Sequence, residues 1–314
     1  MNRILSSVLL LAALCNACTL DDHVDGIEVR QASYTLPGNT FFPEGIAYDP
    51  KQGVFYTGSV ANGDIVKVDV QTGAGSLFAP GAAQGRTAAT GLKLDAKGRL
   101  WVCGGATNKI YVLNPDGSLL KSWDLASFSP TGFINDCILD ENYVYFTDSQ
   151  NQQIYRTDVA ASTPGDIERW LTFTNAQIPY TSPGVNANGI ELTPDSKYLI
   201  LVVSSSGKLY RIDTASKAIS EITLNTPVNS GDGLWLENNI LYVSRNATNL
   251  IFPVTLSNDY LNGTVGAGFG ENLLFNTTLA KAGNYFLVVN GQLNRRSGPT
   301  PPVLPFTVSR VAIP

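Results

Sequence analysis

Short apolar runs recur along the chain in a constant order. Each unit opens on an X-Gly-aliphatic tripeptide: Glu44-Gly45-Ile46, Thr90-Gly91-Leu92, Asn188-Gly189-Ile190 and Asp232-Gly233-Leu234. Asn135-Asp136-Cys137 fills the same slot between the second and third of these. A turn with Gly, Asp or Asn follows, and then a strongly apolar run such as Leu100-Trp101-Val102-Cys103 or Tyr198-Leu199-Ile200-Leu201. After another turn comes a third run rich in Ile, Tyr and Val, such as Ile154-Tyr155-Arg156-Thr157-Asp158 or Leu209-Tyr210-Arg211-Ile212-Asp213. β-Branched and aromatic runs broken by Gly, Asn and Asp are strand and turn chemistry. The third runs share the form Ile/Leu-Tyr-Arg-x-Asp, or nearly so, and this similarity is independent of the opening tripeptide.

A repeat of about 45 residues built from short strands predicts a β-propeller. A sixth repeat begins near Asn276, holds apolar runs at 285–289 and 306–311, and ends one strand short. Residues 27–36 are expected to supply the missing outer strand, which closes the ring and removes an exposed edge. The fold class is therefore all-β: a six-bladed β-propeller closed by an N-terminal strand in the last blade, with 27–314 as one domain. Gly45, Gly91, Gly189 and Gly233 read as architectural, because inner strands crowd at the axis. The informative residue is the one before each glycine. Two longer excursions, 160–185 and 295–305, either shape a binding mouth or are solvated loops. The first carries Trp170, Phe173, Tyr180 and Pro183.

The N-terminus differs from the repeats. Asn2-Arg3, an apolar stretch at 4–14 and the small-residue site at Asn16-Ala17 read as a secretory signal over 1–17, with 18–26 a short tail. A secreted or periplasmic protein follows, with lipid anchoring through Cys18 as a further option. No other apolar stretch is long enough to span a bilayer. Of four cysteines, Cys103 and Cys137 lie in the repeats, as a disulfide or as buried thiols. Asn246, Asn262 and Asn276 head Asn-X-Ser/Thr sequons. The 314 residues are 15% charged with a net charge of -5 and no basic run, which argues against nucleic acid as a partner. A monomer is expected.

The one histidine, His23, lies outside the repeats. Imidazole-based triads and ordinary zinc sites are thereby excluded. Oxygen chemistry remains. Equivalent positions in a propeller converge on its axis, so Glu44, Asn135, Asn188 and Asp232 would meet there. Two carboxylates and two amides suit Ca²⁺, with other divalent cations as substitutes. A wet polar channel without metal is the alternative. Asp136 is expected to face the other side of its strand and to be structural.

The motifs Phe42-Pro43-Glu44-Gly45-Ile46, Asn135-Asp136, Asn188-Gly189-Ile190-Glu191-Leu192-Thr193-Pro194-Asp195 and Gly231-Asp232-Gly233-Leu234 resemble the SMP-30/gluconolactonase/LRE-like family of six-bladed propellers. They also resemble the wider group of calcium-dependent phosphotriesterases. The resemblance implies that Glu44, Asn135, Asn188 and Asp232 are calcium ligands. It further implies that Asp232 acts as general base or nucleophile in hydrolysis of a small-molecule lactone or ester. Two departures stand out. Phe133 occupies the place where the family's sugar-orienting arginine would fall, and the imidazoles of paraoxonase-like members are missing. An apolar residue at the mouth suits a more hydrophobic ester, and Trp170 and Tyr180 are expected to join Phe133 there. The alternative function is a non-catalytic, calcium-stabilised propeller that binds a ligand or protein.

Overall fold

The computed structural model describes residues 29–314. The expected signal, the tail, Cys18 and His23 lie outside the described residues. β1 (Ser33–Thr35) comes first in the chain and pairs at the far end of the ring. Blade one is β2 (Pro43–Asp49), β3 (Val54–Ser59), β4 (Ile65–Asp69) and β5 (Gly75–Ala79). Blade two is β6 (Leu92–Leu94), β7 (Leu100–Cys103), β8 (Lys109–Leu113) and β9 (Leu119–Asp124). Blade three is β10 (Ile134–Leu139), β11 (Tyr143–Asp148), β12 (Gln153–Asp158) and β13 (Glu168–Thr172). Blade four is β14 (Ala187–Leu192), β15 (Tyr198–Val203), β16 (Lys208–Asp213) and β17 (Ile219–Leu224). Blade five is β18 (Gly231–Glu237), β19 (Ile240–Arg245), β20 (Leu250–Leu256) and β21 (Asn262–Val265). Blade six is β22 (Asn276–Ala282), β23 (Tyr285–Asn290) and β24 (Thr307–Ala312), completed by β1.

The predicted closure is therefore present, with Ser33 opposite Ser309 and Thr35 opposite Thr307, over a shorter strand than the sequence suggests. The outer strands β17 and β21 also pair, in parallel, and join blades four and five into one sheet.

Strand alternation sends successive side chains to opposite faces of each blade. Those faces build six separate cores, one at each blade interface. Phe55 and Phe306 share the core between blades one and six, and Trp101 and Phe146 the core between two and three. Tyr145 and Leu199 share the core between three and four. Cys103 and Cys137 are free, buried thiols in the core between blades two and three. The third-strand arginines stack on the tyrosine that starts the second strand: Arg156 over Tyr143 at 3.9 Å, Arg211 over Tyr198 at 4.3 Å and Arg310 over Tyr285 at 4.5 Å. The aspartates that end third strands serve the turns as expected, Asp69 accepting from Gln71 and Thr72 and Asp213 from Ala215 and Ser216.

The inner strands explain the opening tripeptides. A Cβ on Gly45 would lie 2.1 Å from the Thr90 carbonyl oxygen, and one on Gly189 2.0 Å from that of Asp232. Neighbouring backbones therefore touch, and only a residue without Cβ permits the approach. Blade six has Thr277-Thr278-Leu279 in this place, and both hydroxyls donate to the Glu44 carbonyl, at 2.7 and 2.5 Å. Five of the six inner strands shift register here, for example between Pro43 and Ile46 and between Ile134 and Cys137. Such bulges re-aim side chains. Within the bulge of β10, Asp136 takes the register position of the glycines and lies buried beside Gly91.

Candidate axial site

Glu44, Asn135, Asn188 and Asp232 all line one cavity of about 980 Å³ at the end of the inner strands. They are 4%, 3%, 5% and 4% exposed, so their polar atoms must find partners within the protein or in a bound group. Thr90 lines the same cavity in blade two. The remaining lining is mixed: Val60, Phe133, Val185, Phe275 and Leu293 are apolar, and threonines and serines such as Thr87, Thr107, Ser205 and Ser230 lie among them. Arg296 is the one basic side chain among the described lining residues.

Hydrogen bonding engages one half of three of the axial side chains. Asn135 donates its amide to Ser149 Oγ at 2.9 Å, and Asn188 donates to Ser204 Oγ at 3.0 Å. Asp232 accepts at Oδ2 from Asn246 at 2.7 Å. What remains is Glu44 Oε2, Asn188 Oδ1 and Asp232 Oδ1, all buried and all without a hydrogen-bond partner. A buried oxygen left alone costs roughly 1–3 kcal/mol, and more when charged. Three such atoms at register-equivalent positions of one ring are a donor set that fits a hard cation. Oxygen ligands of mixed charge, two carboxylates and two amides, suit calcium better than zinc. Among the described residues no group of three or more His, Cys, Asp or Glu side chains is placed to hold a metal.

The electrostatics agree. Burial, then the charges of Asp232 and Asp136, push the Glu44 carboxyl well above its ordinary range. Burial pushes Asp232 up to about 7, assisted by Asp136 and opposed by hydrogen bonding from Asn246 and Asn188. Burial and mutual repulsion thus both favour the neutral carboxyls. Three residues further along the inner strands lie Lys93 and Glu191. Burial opposes the Lys93 charge, but Glu191 and Asp136 outweigh it and raise its pKa. Burial lifts Glu191 to about 7 against the pull of Lys93. The third-position residues on the other inner strands are Ala47, Ile138, Trp235 and Ala280.

Of the expected mouth residues, only Phe133 is where the sequence suggests. Trp170 belongs to β13, an outer strand, and is buried between blades three and four against Tyr145. Tyr180 packs edge-on against Phe173 and donates its hydroxyl to the Asp148 carbonyl at 2.9 Å. The excursion reaches the cavity through Thr181, Pro183, Gly184 and Val185 instead. Ser149, Ser204 and Asn246 escape sequence reading, because Ser and Asn at the end of a second strand look like turn residues. Asn246 heads a sequon, yet its amide is engaged in the site, and the sequon residue Asn276 is fully buried. Asn262 is exposed.

Residues 28–134 match the family model described as the SMP-30/Gluconolactonase/LRE-like region. The chain carries an SMP-30/gluconolactonase/LRE-like region. The match spans blades one and two and ends one residue before Asn135. No curated protein matches the sequence significantly. Among solved structures, regucalcin from Agrobacterium tumefaciens, described as a calcium-binding protein, superposes with a TM-score of 0.65 at 14% identity, covering 90% of this chain and 95% of that one. A gluconolactonase from Xanthomonas campestris gives 0.61 at 13% identity, over 90% and 89% of the two chains. The major allergen Mala s 1 of Malassezia sympodialis gives 0.66 at 13% identity, over 90% and 96%. At such identities the likeness is one of fold, and it extends over 90% of this chain. Among the described residues no helix is long and apolar enough to cross a membrane.

Proposed function

We propose that the protein is a calcium-dependent hydrolase of lactones or related esters, exported from the cell, with Glu44, Asn135, Asn188 and Asp232 as the metal ligands. The observation that carries this reading is the set of buried, unpartnered oxygens on Glu44, Asn188 and Asp232 lining one cavity. A calcium ion bound there supplies Lewis acidity toward a carbonyl oxygen. The protein's own part falls to Asp232. Its Oδ2 is held by Asn246, so the carboxylate cannot swing out of the cavity wall. Deprotonated once a cation is bound, its carboxylate is placed to serve as a general base. It takes the proton from an attacking water as the new carbon–oxygen bond forms, and returns a proton to the departing alkoxide. Attack by the carboxylate itself is the other route the same placement permits. Phe133, Phe275 and Leu293 favour an acyl or alkoxy portion that is apolar.

The test combines binding with turnover. Calcium titration should give one site in the wild type, and a panel of lactones and aryl esters should show turnover that chelation abolishes. Asp232→Asn should lose turnover by about a hundredfold or more, as for loss of a general base. Calcium binding and stabilisation without turnover across the panel would favour a ligand-binding propeller instead. Unchanged turnover in Asp232→Asn would sink the mechanism.

A further inference from the structure

One register position stands beside each axial residue, three residues beyond the partner of the inner-strand aliphatic. Around the ring it is Val60, Gly105, Ser149, Ser204, Asn246 and Gly291. Its identity follows that of the axial residue in every blade. Asn135 and Asn188 face a serine, Asp232 faces an asparagine, Thr90 and Thr277 face a glycine, and Glu44 faces a valine. The glycines have a steric reason: a Cβ on Gly291 would lie 2.5 Å from Thr277 Cγ2, and one on Gly105 3.0 Å from Thr90 Cγ2.

The three polar members make the same pair of bonds. Each contacts the axial side chain of its own blade, and each donates to the carbonyl just before the axial residue of the next blade. Ser149 Oγ donates to Ala187 O at 2.5 Å, Ser204 Oγ donates to Gly231 O, and Asn246 Nδ2 donates to Asn276 O at 2.6 Å. A hydroxyl has one proton. Because Ser149 and Ser204 commit theirs to a carbonyl, each can only accept from its axial asparagine. The Asn135 and Asn188 amides therefore each turn an N–H to the serine of their own blade, which fixes the side of the amide that carries the oxygen. Asn246 has two amide protons, and it spends the second on Asp232 Oδ2.

We propose that Ser149, Ser204 and Asn246 are positioning residues that orient the axial ligands, so that Asn135, Asn188 and Asp232 each present an oxygen to a divalent cation. The inference rests on the reading of the quartet as cation ligands. Its consequence is directional. Three consecutive blades hold their ligands rigidly, whereas Glu44, beside Val60, has no such brace.

The probe is calcium itself, measured by titration calorimetry on the full chain, beside the melting temperature of the chelated protein. Ser149→Ala and Ser204→Ala free the amides to rotate and should each weaken calcium binding about tenfold to a hundredfold, as loss of an outer-shell partner does. Ser204→Thr, which keeps the hydroxyl, should retain the affinity. In an Asn188→Ala background, Ser204→Ala should cost no further affinity, whereas a merely structural role would lower stability equally in both backgrounds. Wild-type affinity in both serine variants, with the wild type binding normally, overturns the positioning role alone. Absence of calcium binding by the wild type overturns the metal reading and the positioning role together.

Discussion

The raised carboxyls make calcium binding a proton-release reaction. Burial holds Asp232 at about 7 and Glu44 well above its ordinary value, so both carry protons in the metal-free protein at mildly acid pH. A cation can use their oxygens only once those protons leave. A group whose pKa is about 7 reduces the apparent affinity about elevenfold at about pH 6 and hardly at all at about pH 8, a difference of about 1.4 kcal/mol. Glu44 steepens the slope in the same direction. The assay is calorimetry in paired buffers of different ionisation enthalpy, which counts the protons given up per ion. About one proton or more should be released near pH 6, falling toward zero well above pH 8. Asp232→Asn should bind more weakly and show a flatter pH dependence. Metal-free stability should run the other way. Between about pH 4 and about pH 7 the unfolded chain has lost the Asp232 proton and the folded chain retains it, so stability falls as pH rises through that window. Equal affinity at both ends of the range, with no proton release, would refute the reasoning.

Further outcomes test the ring and the mouth. Gly189→Ala places a methyl against the Asp232 carbonyl and should destabilise by about 3 kcal/mol or more in urea unfolding. Tyr34→Ala empties a buried site at the ring closure and removes the hydrogen bond to Val70 O, 2.7 Å long, and should cost about 3–5 kcal/mol by the same measurement. Arg296→Ala should raise KM for carboxylate-bearing esters and leave that for neutral ones unchanged, whereas Phe133→Ala should weaken binding of esters with bulky apolar groups. Steady-state kinetics on a matched ester pair separates the two.

The fold is legible because propeller geometry imposes a local rule. A glycine is needed wherever inner backbones touch, so Gly45, Gly91, Gly189 and Gly233 mark the blades in the sequence. The axial quartet is legible as the residues before them. Blade six is harder to read, since Thr277-Thr278 replaces the glycine motif with two hydroxyls that bond the Glu44 carbonyl. Radial position is not legible. Trp170 sits in an excursion between repeats, and nothing in its composition tells an outer strand from a mouth loop. The bulge at Asp136 is not legible either, being invisible to a strict two-residue period. The braces escape it because their distance from the axial residue varies with hairpin length. It is 14 residues for Asn135–Ser149 and for Asp232–Asn246, and 16 for Asn188–Ser204.

Ring closure also sets the order in which the protein can mature. Arg310 bonds the Val29 carbonyl across 281 residues, and Thr278 bonds that of Glu44 across 234. Contacts so distant in sequence form slowly and late. The first blade therefore waits, with Glu44 unanchored, until the last one has emerged. A chain cut short before blade six would keep every proposed ligand and still lack the support that seats the first of them. Calcium binding would then report that synthesis had run to its end.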